Sequence, residues 1–283
     1  MDQKIINLYD EYTHSGITRK DFMKRLAMLT GSTAIALNIL PLLENNYAAA
    51  AEFDEKDLTV ENITYPGSDG EMKAVLARPK NKNKLGTVLV IHENRGLNPH
   101  IIDVTKRIAA EGFLAMGVDA LSPLGGTPED QDKGREMIGK LDPEKTLQNY
   151  LRGLDYLRSH KEGNGKTGCV GFCWGGAMAN KLAVNDPKLQ AAVAYYGAQP
   201  KAEDVSKIKS SVMLHYGGLD ERINAGIPAY EEALKANKVD YKLYIYEGVN
   251  HAFNNDTSPT RYDETAAKLA WKRTVELFRE KLK

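Results

Sequence analysis

The chain has 283 residues, 42% of them hydrophobic, enough to bury a large core in one or two domains. Its 38 basic and 38 acidic side chains cancel. That leaves no basic surplus for nucleic acid or an anionic membrane, and no acidic excess of the kind that keeps a chain disordered. The only two cysteines, Cys169 and Cys173, make neither a disulfide framework nor a four-ligand zinc site.

Residues 1–51 differ in pattern from the rest. Ile5, Leu8, Tyr9 and Tyr12 fall at helical spacing over 4–14, and Ser15-Gly16 ends that helix. Thr18 caps a second helix, with Asp21 three residues on as in a capping box. An apolar run over 26–43 follows, interrupted by Gly31, Asn38 and Pro41, and leads to small residues at 48–51. Two readings stand. Residues 18–24, TRKDFMK, resemble a twin-arginine export motif with Lys20 at the second arginine, and an Ala-x-Ala cleavage site over 48–51 would then release a periplasmic protein. The other reading is a helical hairpin packed on the remainder of a cytoplasmic protein. Asn38 and Pro41 leave the run short of the roughly twenty clean apolar residues of a stable membrane span.

From residue 52 onward strands and helices alternate. Residues 58–65 and 72–77 read as an antiparallel hairpin around Pro66-Gly67-Ser68-Asp69-Gly70. Residues 86–92 form a continuous apolar run, expected of a strand buried on both faces. An amphipathic helix over 98–111 and a buried strand over 113–118 follow. Residues 121–142 are rich in Gly, Pro and charge, and read as a long loop with a short helix. Pro143 opens a helix to residue 160. Then come strands at 167–171, 190–196, 211–216 and 241–246, helices from Trp174 and over 227–237, and a last helix from about residue 260. This alternation implies an α/β fold: a doubly wound, mostly parallel sheet, with residues 1–51 as an N-terminal helical extension to a domain over 52–283. Chemistry in such sheets gathers at the carboxyl ends of the strands.

The strand ends carry the candidates. Gly171, Cys173 and Gly175 fit a Gly-x-nucleophile-x-Gly elbow, with cysteine in the place of serine, between a strand and the helix from Trp174. The turn lifts the sulfur above the sheet at a helix N-terminus, where the dipole favours negative charge. Cys169, two strand positions inside, reads as core. The strand ending at Tyr216 runs into Asp220, and the strand ending at Tyr246 into His251. Nucleophile, acid, histidine is the chain order of α/β-hydrolases. His251 would handle protons and Asp220 would fix its tautomer. Glu221 is the rival acid and His215, inside its strand, the rival base. The turn after residue 92 supplies Glu93 and the backbone N–H of Asn94, which with that of Trp174 would form an oxyanion hole.

Gly-Phe-Cys-Trp-Gly-Gly, His-Glu-Asn-Arg-Gly, Gly-Gly-Leu-Asp-Glu-Arg and Gly-Val-Asn-His-Ala-Phe together resemble the dienelactone hydrolase (carboxymethylenebutenolidase) family over about residues 57–283. The resemblance implies an α/β-hydrolase fold and a small ester or lactone as the chain's partner. It also implies Cys173 as nucleophile, His251 as base, Asp220 as its orienter, and Glu93 contacting the resting thiol as a switch on thiolate formation. No metal or organic cofactor is implied. The family's two carboxylate-binding arginines correspond to about Pro123 and Asn255, which points to a natural substrate other than dienelactone. Arg95, Arg222 and Arg261 are candidates for a different anion site, and Phe253, with Trp174 and Tyr196, for an acyl pocket. A peptidase or acyltransferase on the same triad, or a non-catalytic binding protein, are the alternatives. Self-association into a homo-oligomer is compatible with all of these.

Overall fold

The computed structural model describes residues 1–47 and 55–283; the Ala-x-Ala candidate over 48–51 and the boundary at 51/52 lie outside the described residues. Eight strands form one sheet: β1 (Leu58–Pro66), β2 (Glu71–Pro79), β3 (Leu85–Ile91), β4 (Leu114–Val118), β5 (Gly163–Phe172), β6 (Ala191–Tyr195), β7 (Ser211–Gly217) and β8 (Tyr241–Tyr246). Their order is β1-β2-β4-β3-β5-β6-β7-β8. β1 pairs antiparallel with β2, and β2 with β4, while every later pairing is parallel. The expected hairpin and the expected parallel sheet are therefore one continuous layer.

Side-chain alternation explains why the central strands read as unbroken apolar runs. In β3, Leu89 and Ile91 join one core while Val88 and Val90 join the other. The first core is closed by α6 (Pro143–Ser159), α7 (Trp174–Asn185) and α9 (Ile227–Ala236), and the second by α4 (Pro99–Ala110) and α10 (Glu264–Lys281). These helices start where the sequence supplies caps. The side chains of Asn98, Asp142 and Asp263 each accept a backbone N–H from the first turn they precede, and proline follows directly after the first two. α5 (Gln131–Ile138) is the short helix expected within the long loop, and α8 (Glu221–Asn224) is a further single turn after β7.

The N-terminal residues form three helices, one more than a hairpin. They are α1 (Gln3–His14), α2 (Arg19–Thr30) and α3 (Thr33–Leu43), with Gly31 at φ 76° breaking what reads as one apolar stretch. They share a core built on Tyr9, Tyr12, Phe22, Leu26, Leu40 and Leu43. No single described helix is long and apolar enough to cross a membrane; α2 and α3 together reach that length but are bent by 113°.

His215 shows what the sheet interior does to a titratable group. It is fully buried in β7, with its ring nitrogens on Tyr246 Oη and Thr274 Oγ1. Burial, helped by nearby Arg273, pushes its pKa down to about 3 from 6.5. A histidine depressed in the folded state contributes stability that is complete above its unfolded value and is lost as pH falls toward the folded one. Lowering the pH from 7 to 4.5 should thus remove roughly 2–3 kcal/mol through this group alone. Urea midpoints across that window check it: the His215→Gln protein should show a shallower pH dependence, and an equal slope contradicts the assignment.

Candidate active site

β5 runs into Cys173 at φ 56° and ψ −114°, and α7 begins at the next residue. Positive φ at a non-glycine residue is strained and persists only where its surroundings enforce it. Here the Cys173 N–H donates to the Tyr195 carbonyl at 3.0 Å. A Cβ on Gly171 would lie 1.9 Å from the carbonyl oxygen of Gly175, and one on Gly175 2.4 Å from that of Ile91. Only hydrogen fits at either place, so strand, turn and helix pack directly and aim the sulfur off the end of the sheet. Cys169 is buried inside the sheet, and that burial pushes its thiol well above the ordinary range.

Asp220 caps α8, its Oδ1 accepting the Ile223 N–H at 3.2 Å, while its Oδ2 lies 2.5 Å from His251 Nδ1. Because Nδ1 faces a carboxylate it carries the ring proton, leaving a lone pair on Nε2. That Nε2 is buried and has no hydrogen-bond partner among the described residues. Burial opposes protonation of His251, but the carboxylates of Asp10 and Asp220 outweigh it and hold its pKa above the usual value. The rivals stand elsewhere: Glu221 is exposed, and His215 bonds to residues behind the sheet edge.

The sulfur's hydrogen-bond partner is a residue that the sequence does not single out. His14, the last residue of α1, places Nε2 3.0 Å from Cys173 Sγ. Its Nδ1 lies 2.8 Å from the Asp10 carbonyl oxygen and 3.3 Å from Asp10 Oδ1. The rings of His14 and His251 meet edge to face, with centroids 4.7 Å apart. Burial opposes a charge on His14, but the Cys173 sulfur and the Asp10 carboxylate together raise its pKa above 6.5. Burial likewise works against Asp10, yet His251 and His14 hold it far below the carboxylate range. Single donor atoms from His14, Cys173 and His251 all lie within 4.8 Å of one another, as do those of Asp10, Asp220 and His251, so either set is near enough to hold a divalent ion or to exchange protons.

The remaining candidates separate by position. Glu93 is buried beside the site, but its oxygens are taken by Asn255 Nδ2 at 2.9 Å and Tyr196 Oη at 3.4 Å, and the resting sulfur bonds His14 instead. Neither the Asn94 nor the Trp174 amide donates to another backbone carbonyl among the described residues. Arg95 and Arg261 are buried and turned toward the N-terminal helices. Arg95 donates to Tyr9 Oη at 2.8 Å, and the Arg261 guanidinium lies 5.2 Å from the Tyr9 ring centroid. Phe253 is fully buried against Tyr195, Tyr196 and Tyr246, beneath the site. Arg222 does border the site, with Asp10 Oδ2 3.3 Å away. A cavity of about 850 Å³ opens beside the sulfur, walled by residues 12–19 on one side and by Cys173, Trp174, Tyr196, Arg222 and His251 on the other.

The profile of the dienelactone hydrolase family matches residues 72–282. The chain belongs to that family. A protein of Escherichia coli O157:H7 with the provisional name carboxymethylenebutenolidase is 32% identical over 241 residues, 79% of this chain and 88% of its own. A counterpart from Saccharolobus solfataricus, likewise provisionally named, is 30% identical over 257 residues, 77% of this chain and 98% of its own. Among solved structures, a dienelactone hydrolase-like promiscuous phosphotriesterase from metagenomic libraries has a TM-score of 0.73 at 25% identity, covering 80% of this chain and 100% of its own. A provisionally named dienelactone hydrolase from Klebsiella pneumoniae has a TM-score of 0.72 at 27% identity, covering 79% of this chain and 99% of its own. The chain is thus a dienelactone hydrolase-like α/β-hydrolase, consistent with a carboxylic ester hydrolase. Residues 1–31 match a separate profile, described as YqhI-like. His14 and Asp10 come from that segment and lie outside the residues matched by the dienelactone hydrolase profile.

Proposed function

We propose that the protein hydrolyses small esters or lactones through a thioester on Cys173. The observation that carries this reading is a strained cysteine at the elbow with an Asp220-oriented imidazole beside it, both bordering one cavity. In this scheme the sulfur attacks the acyl carbon, and the developing oxyanion takes hydrogen bonds from the Asn94 and Trp174 amides. Each such donor is worth roughly 3 kcal/mol in a water-poor site. His251 supplies the acid–base chemistry of deacylation, in which water activated by it releases the acid. Glu93 contributes as a buried charge held by Asn255 and Tyr196, disfavouring a second negative charge nearby until substrate arrives. Arg95 already donates to Tyr9 and Gln131, and Arg261 to Ser258 and Asn45, so neither offers a free fork to a carboxylate, which supports a natural substrate other than dienelactone.

Iodoacetamide tests the reading. Alkylation should fall on Cys173 and spare Cys169, and p-nitrophenyl acetate turnover should vanish in step with it. Turnover that survives complete alkylation of Cys173 contradicts the proposal.

A further inference from the structure

We infer that Asp10 and His14 form a second catalytic dyad on Cys173, so that the N-terminal helices complete the active site. This rests on the reading of Cys173 as nucleophile and goes beyond it in naming the group that takes the thiol proton.

The tautomer follows from the contacts. His14 Nδ1 faces the Asp10 carbonyl, which can only accept, and Thr13 Oγ1 at 3.0 Å, whose own hydroxyl donates to that carbonyl, so Nδ1 carries the proton and Nε2 presents its lone pair to the sulfur at 3.0 Å. Asp10 Oδ1, one helical turn back on the same face, lies where it stabilises the imidazolium. The C-terminal position of His14 in α1 adds to this, since a helix C-terminus favours a cation. His251 is oriented by the Asp220 carboxylate directly, yet its Nε2 is left without a partner among the described residues. Two oriented imidazoles and one sulfur suggest two separate jobs.

α1 is fixed in place at its active-site end. Asn94 Nδ2 donates to the Thr13 carbonyl at 2.8 Å, and Tyr12 Oη donates to Asp132 at 2.8 Å under the guanidinium of Arg135. At the other end of α1, Gln3 donates to Asn250, the neighbour of His251 in sequence, at 2.6 Å. Asn94 supplies one of the proposed oxyanion amides, so the turn that carries it also holds the residue before His14.

The protons balance without a co-reactant. The Cys173 proton passes to His14 Nε2, the sulfur bonds the acyl carbon, and the carbonyl electron pair moves to oxygen. On collapse the C–O bond breaks and the His14 proton goes to the leaving alkoxide. His251 Nε2 then takes a proton from water, hydroxide adds to the thioester carbon, and the C–S bond breaks. The sulfur recovers its proton from His251, and the acid leaves. The two rings do not need to be charged together, which their 4.7 Å separation disfavours.

The test uses the full-length protein with His14→Gln and, separately, Asp10→Asn. The groups facing His14 are Asp10 on its own helix, Cys173 and His251 across the cavity, with Arg222 on Asp10 and Asp220 on His251. All but the replaced group stay in place in either variant. In His14→Gln the iodoacetamide rate at pH 6.5 should fall about tenfold or more and its pH profile should move upward. The kcat for p-nitrophenyl acetate should fall by a similar factor, with KM changed less than about threefold. Asp10→Asn should shift the same profile in the same direction, and it stands as the test should His14→Gln fail to fold. Wild-type alkylation and turnover profiles in both folded variants overturn the inference. So does a rise in turnover, which would make His14 a plug on the sulfur. Neither result touches the nucleophile reading, which fails only if hydrolysis persists without the Cys173 sulfur.

Discussion

Cys173→Ala should lower p-nitrophenyl acetate turnover by about 10⁴-fold or more, because removing a nucleophile leaves only binding and oxyanion stabilisation to act. The substitution deletes one atom from a side chain only 7% exposed and keeps a Cβ at the same φ of 56°. The elbow is enforced by the bare glycines at 171 and 175 and by the Cys173 N–H on Tyr195, none of which the change disturbs. Thermal unfolding should therefore stay close to wild type while activity disappears. Turnover above about one tenth of wild type in a folded Cys173→Ala protein would falsify the thioester route.

Asp220→Asn should cost about 10³- to 10⁴-fold in kcat with the fold intact. An asparagine keeps an oxygen to cap α8 through Ile223, so the short helix should survive. Its amide, however, can meet His251 Nδ1 with a donor, which drives the ring proton to Nε2 and removes the lone pair that activates water. Alkylation of Cys173 should fall much less than turnover, since His14, with Asp10 behind it, still faces the sulfur. Steady-state kinetics beside an alkylation time course separates the two. Turnover within about tenfold of wild type would deny Asp220 its orienting role.

Much of the fold is legible in the residues because its signals are local. The run at 86–92 announces a strand buried on both faces, and Val88 and Leu89 do point to opposite cores. The elbow announces itself because only glycine fits beside a turn that tight. The amphipathic spacing over 98–111 and the proline at 143 locate two helices to within a residue or two. What escapes is long-range. Nothing within residues 4–14 tells an amphipathic helix whether it belongs to a leader or to an active-site wall. His14 reads there as a polar residue at a helix end, and its distance of 159 positions from Cys173 is closed only by tertiary packing. The same blindness applies to Arg95 and Arg261, whose charge suggests an anion site until Tyr9 is seen against them. Glu93 stands out in sequence as a carboxylate leaving a buried strand, but its partners Tyr196 and Asn255 sit 103 and 162 residues away. One signal is available: Asp10 and His14 stand four apart, on one helix face, at the end where a cationic histidine is favoured.

The most direct measurement is the intact mass of the protein quenched in acid during p-nitrophenyl acetate turnover. A thioester route through Cys173 requires a single acetyl adduct that maps to that residue, is discharged by neutral hydroxylamine as thioesters are, and is absent from Cys173→Ala. An adduct on a hydroxyl or amine elsewhere, discharged at the rate of turnover, would place the chemistry on another residue and contradict it.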